Sequence, residues 1–168
     1  MSEQTTDMQE CMKNMPQPTA AHAWLERYVG EWRTRATITP PDMPPMESEG
    51  VEVCRMIGGF WMVADGQVLK GMPYTYRLTI GYDASRGIYI GTWVDSMTDH
   101  LWFYEGNVNE AGDTLELRTS GPCPMGYMMN SREVMEFRSS DHRVFTCHTQ
   151  EQGKDGWQPA MVVEYHRK

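Results

Sequence analysis

The chain has 168 residues and 19.4 kDa, the size of one ordinary domain with a single core. Its 15 basic and 23 acidic residues leave a net charge of −8, the wrong sign for neutralising nucleic-acid phosphates or an anionic membrane surface. No apolar run approaches the ~18–20 residues that cross a bilayer, and the opening MSEQTTDMQECMKNMPQP lacks a basic stretch followed by an apolar one. A cytoplasmic protein with neither nucleic acid nor membrane as partner is expected.

Residues 1–18 read as a flexible Met-rich arm ahead of a domain over 19–168. Within the arm Met8, Cys11, Met12 and Met15 recur at helical spacing, which puts four sulfurs on one stripe. Such ligands suit copper(I), but an amphipathic helix docking on the body or on a second copy explains the same stripe. The four cysteines, Cys11, Cys54, Cys123 and Cys147, show no CxxC pair and no zinc-type spacing, so free thiols and no metal site are expected. Thr19 can cap a short helix through Tyr28, with Gly30 as its stop and His22 on its solvated side.

After Gly30 the pattern turns from helical to alternating. The run Glu31 to Thr39 sets Trp32, Ala36 and Ile38 against Arg33, Arg35 and Thr37. PPDMPP at 40–45 cannot enter a central ladder and reads as a loop over a barrel mouth. Val51 to Ile57 resumes the strand pattern. Phe60 to Ala64 then meets the Asp65-Gly66 pair, a signal for a tight turn into Gln67 to Lys70. Further runs begin at Tyr74, Ile88, Leu101, Thr114, Arg132, Arg143 and Trp157, separated by turn-forming segments such as DASRG, NEAGD and QGKDG. The linkers are too short for crossover helices, so the strands connect up and down. About ten such strands leave no exposed edge only when they close. The expected fold is an all-β, antiparallel up-and-down barrel with one short N-terminal helix.

The sequence from Ala21 to Lys168 carries a more specific likeness. The Gly30-Glu31-Trp32 opening resembles the Gly-x-Trp opening of lipocalin-like barrels, and GGFW at 58–61, GMPYTYRLTIGYDASRGIYIGTW at 71–93, VDSM at 94–97, EGNVNEAGDTLEL at 105–117, SREV at 131–134 and the closing VVEYHRK together resemble the bacterial domain of unknown function 1579 family, placed among the lipocalin-like calycins. The resemblance implies the barrel and no particular activity.

A barrel of this size encloses room for one small molecule in an apolar lining with a few placed polar groups. Alternation puts Trp93 and Asp95 on one face with Tyr89 and Gly91, and Tyr76 on one face with Leu78 and Ile80. If those faces point inward, Asp95 needs a cationic partner, and Arg132 or Arg77 can supply it. The expected site binds a small hydrophobic or amphipathic molecule, its head on Asp95 and Arg132 and its body among Trp32, Met62, Tyr76 and Trp93. The plain alternative makes Asp95 the cap of the 96–99 turn and the aromatics ordinary core. Two further functions compete: an interaction module with a filled barrel, and an enzyme using lumen carboxylates from Asp95, Glu105, Glu136 and Glu164. Pairing of two copies through barrel faces or the arm is the remaining partner reading. No cofactor is expected. Haem would call on His148 or His166, and Arg33, Thr34 and Arg35 stand where close approach of a flat macrocycle calls for glycines.

Overall fold

A computed structural model describes Met8 and residues 10–168. A short helix α1 (Ala20–Trp24) runs into one 3-10 turn (Leu25–Tyr28). Ten strands follow: β1 (Gly30–Ile38), β2 (Met46–Ile57), β3 (Trp61–Lys70), β4 (Thr75–Asp83), β5 (Ile88–Asp95), β6 (Trp102–Val108), β7 (Thr114–Pro122), β8 (Met128–Phe137), β9 (His142–Glu151) and β10 (Gln158–Arg167). Each pairs antiparallel with its neighbours in sequence, and β1 pairs with β10, from Trp32 opposite Arg167 to Ile38 opposite Met161, so the sheet closes into a barrel. No helix among the described residues is long and apolar enough to cross a membrane.

The sequence predicts a turn at Asp65-Gly66, but β3 passes straight through the pair. Gly66 lies opposite Tyr76, and a Cβ here would run into the tyrosine ring. Asp65 points outward and ties β3 to its neighbours, accepting from Arg55 at 2.7 Å and Arg77 at 2.6 Å. The glycine therefore serves a close approach of side chain to backbone, and two predicted strands become one.

The helical entry plugs one pole. Leu25 and Tyr28 are fully enclosed with Trp32, Met62, Ile80 and Leu115, each worth roughly 1.5–3 kcal/mol of apolar burial. Trp24 Nε1 donates to the Gly112 carbonyl at 2.8 Å, and Tyr89 donates its hydroxyl to the Ala21 carbonyl at 2.9 Å. Phe137 meets Tyr28 edge to face at 5.0 Å and Trp24 at 5.5 Å. His22, expected on the solvated side, is buried edge-on against Phe60 and Tyr82, and its Nδ1 accepts the Thr19 backbone N–H at 3.0 Å as the helix cap. Gly30, at φ 135°, makes the sharp passage from this plug into β1.

The opposite pole carries the connections 39–45, 71–74, 96–101, 123–127 and 152–157. PPDMPP lies here, as the mouth reading expects. Each of the five loops exposes a large apolar side chain: Met43, Met72, Met97, Met125 and Trp157. The arm is helical over Glu10–Lys13, with Cys11, Met12 and Met15 exposed, as is Met8. Residues 1–7 and 9, the rest of the predicted arm, lie outside the described residues.

Candidate functional site in the barrel lumen

Side chains on the inner wall are enclosed next to the plug and become partly accessible toward the loop-bearing pole. Trp32, Met62, Ile80 and Leu115 are buried, whereas Tyr76, Leu78, Trp93, Trp102, Glu133 and Met161 are partly exposed. The lumen thus has a filled half and an open half.

Between them lies a buried ion pair. Glu52 accepts from Arg143 Nη2, from the Tyr76 hydroxyl at 2.6 Å and from Cys54 Sγ at 3.1 Å. The Arg143 guanidinium lies against the rings of Tyr165, Trp32 and Tyr28, with Cζ 3.9, 4.6 and 4.9 Å from their centroids. Burial pushes the Tyr28, Tyr165 and Cys54 pKa values well up, so all three stay protonated. For Arg143 burial is the largest single influence and acts downward, but Glu52, Tyr165, Cys54 and Tyr28 together outweigh it and leave the guanidinium charged. This cluster is a hydrogen-bonded floor rather than a vacancy.

Above the floor three rings form a rack. Tyr76 stacks on Trp93 at 4.3 Å and 15°, and Tyr74 tilts against both. Glu133 is on the inner wall among Ser131, Met135 and Leu117. It accepts the Tyr104 hydroxyl at 3.1 Å, and no cation among the described residues pairs with it. Burial pushes its carboxyl up to about 7, against a smaller downward pull from the Tyr104 hydrogen bond. Burial, with Glu133 next to it, also pushes the Cys147 thiol up to about 12. The Thr119 hydroxyl, on the inner face of β7 opposite Ser131, is buried without a hydrogen-bond partner among the described residues.

The structure sorts the predicted site residues into four places. Tyr76 and Trp93 come together in the open half, as alternation expects. Trp32 and Met62 are inside but sealed under the floor. Asp95 is turned into the 96–99 turn, accepting from Trp93 Nε1 at 3.0 Å and from the Met97 and Thr98 backbones at 2.8 and 3.0 Å. Arg132 is on the outer wall, where its Nε and Nη2 bind Glu116 at 2.9 and 2.7 Å, so the expected pair with Asp95 does not form. The reason is parity: Arg132 lies one position from the inward Ser131 and Glu133 and faces away. Arg77 is likewise outside, on Asp65.

The same parity moves three candidate carboxylates outward, Glu105 to Arg86, Glu136 to Arg138 and Glu164 to His142. His148 shares the outward parity of Arg132, its register partner. The carboxyls that do face the lumen, Glu52 and Glu133, were not among the candidates. Their signal is present in the sequence: Glu52 alternates with Cys54 and Met56, and Glu133 with Ser131, Met135 and Phe137.

The alignment to known proteins is decided by one match. Residues 17–167 match the family described as protein of unknown function, DUF1579. The chain belongs to that family. No curated protein matches this DUF1579 chain. Among solved structures it is similar to Rv2717c from M. tuberculosis, with a TM-score of 0.66 and 16% identity over 90% of this chain and 99% of the other. It is also similar to the S-type phycobiliprotein lyase CPES from Guillardia theta, with a TM-score of 0.60 and 15% identity over 91% and 98% of the two chains. At these identities the likeness is one of fold, the closed ten-stranded antiparallel barrel of the DUF1579 chain.

Proposed function

We propose that the open half of the lumen binds a small amphipathic molecule with a flat apolar body and a basic or hydrogen-bond-donating head. The observation that carries the reading is Glu133: among the described residues this lumen carboxyl has one hydrogen bond and no cation, and the Thr119 hydroxyl on the same inner wall has no partner. Buried polar groups of this kind cost stability unless something pairs with them. A guest bearing a cation or an N–H supplies the partner, and the Tyr74, Tyr76 and Trp93 rack receives a ring by stacking. The exposed methionines around the mouth offer soft, adaptable apolar contact at the entrance. The Glu52–Arg143 floor limits how deep the guest can go.

Tryptophan-fluorescence titration of the full chain with 9-aminoacridine, a flat cation, and 9-anthracenecarboxylate, an anion of similar shape, tests the reading. The cation is expected to bind at one per chain and the anion at least tenfold more weakly. Trp93→Ala weakens the cation about tenfold, in line with a lost stack and its buried area, and Glu133→Gln abolishes the preference, with circular dichroism confirming an intact barrel. An unchanged affinity in Trp93→Ala removes the rack from the site. Equal binding of both dyes by the wild type removes Glu133.

A further inference from the structure

On the outer wall, His142 at the start of β9 lies opposite His166 on β10, and Glu164 lies two residues before His166. Residues at i and i+2 on one strand point the same way, and the residue across from one of them completes a tripod. The two imidazoles stack at 4.5 Å and 11°, and His142 Nε2 lies 2.5 Å from Glu164 Oε2. One ligand atom from each of the three falls within 4.8 Å of the other two, and among the described residues this is the trio of His, Cys, Asp and Glu that converges so. A tetrahedral ion about 2.0–2.2 Å from each donor would set them roughly 3.3 Å apart.

We propose that His142, Glu164 and His166 form a binding site for a divalent transition metal of the zinc class, independent of the lumen reading. Two imidazoles and one carboxylate are the donor set that zinc, nickel, cobalt and copper(II) accept, and three protein ligands leave a position for water. His166 is exposed and the other two partly so, which gives the ion a path in. The charged neighbours moderate the affinity. Arg35 and Arg33 on β1 lie opposite Glu164 and His166, but Arg35 is drawn to Glu47 at 3.4 Å, and Arg138 beyond β9 is held by Glu136 at 3.0 Å. A micromolar site is expected rather than a tight structural one.

Cobalt(II) is the probe, because its visible absorption distinguishes a protein-bound, low-coordinate ion from the hydrated one. Titration of the full chain is expected to saturate at one ion, with zinc displacing it. His166→Ala and Glu164→Gln should each weaken binding at least tenfold, while His100→Ala and Cys11→Ser leave it unchanged. No saturable binding by the wild type below 100 µM, on the order of a weak surface contact, overturns the site. Binding that survives His166→Ala and His142→Ala, or that is lost with Cys11→Ser, also overturns it and points to the arm.

Discussion

At the residue scale the Glu52–Arg143 pair dominates, because both groups are almost wholly buried and, among the described residues, each is the other's ion-pair partner. Removing one partner strands the other in an apolar interior. Glu52→Gln is expected to cost about 3–5 kcal/mol, and the double change Glu52→Gln with Arg143→Met to recover a large part of it. Urea unfolding of the two variants and the wild type measures both; a double variant as unstable as the single one would assign the loss to packing. These two residues also show what was hard to read. A glutamate or an arginine on a strand is usually solvated, and only its parity with Cys54 and Met56, or with Phe145 and Cys147, marks it as inward. Their mutual pairing spans 91 residues of sequence, and no local pattern announces it.

At the element scale the strand count and the up-and-down order were legible, since hydrophobic alternation and turn residues punctuate the chain at regular intervals. The misplaced turn at Asp65-Gly66 shows the limit of that punctuation. A glycine marks either a reversal or a close approach, and the ring that needs the space, Tyr76, belongs to the next strand. Gly66→Ala is therefore expected to displace Tyr76 from its seat, costing about 1–3 kcal/mol by overpacking and weakening both its hydrogen bond to Glu52 and its stack on Trp93. Pairing the variant with Tyr76→Ala is the check: if Tyr76 is the obstacle, the alanine at 66 costs little in that background. Similarly, strand face alone identifies Trp93 and Tyr76 as lumen residues, while the pairing expected of Arg132 puts it on the wrong face. β8 carries charge on both of its faces there, Arg132 outside and Glu133 inside, so charge does not say which is which.

At the scale of the whole molecule, Glu133 links the lumen to the pH dependence of folding. Its carboxyl is raised from 4.5 to about 7 in the fold, so between those values the folded chain holds a proton that the unfolded chain has released. Its contribution is most favourable below about pH 4.5, is lost as pH rises, and is gone above about pH 7. Glu133→Gln removes that slope. The difference in stability between variant and wild type should grow in the variant's favour by roughly 1–3 kcal/mol from pH 5 to pH 8. Urea midpoints at the two pH values read it, and a constant difference would mean that Glu133 titrates as an ordinary surface carboxyl.

The seam between β1 and β10 brings the two ends of the domain together at the plugged pole. Arg167 donates to the Val29 carbonyl at 2.7 Å and its guanidinium lies 4.2 Å over Trp32, while the Lys168 backbone donates to the Glu31 carbonyl at 2.9 Å. This seam joins the residues farthest apart in the chain, so it carries the greatest loop-closure cost. The same geometry divides labour between the poles. Anything fused or tethered at either end of the barrel hangs from the sealed side, and the mouth, whose five loops meet the seam where the Thr39 backbone donates to the Ala160 carbonyl at 2.8 Å, is free to change in length and composition beyond that bond while the closure of the barrel stays intact.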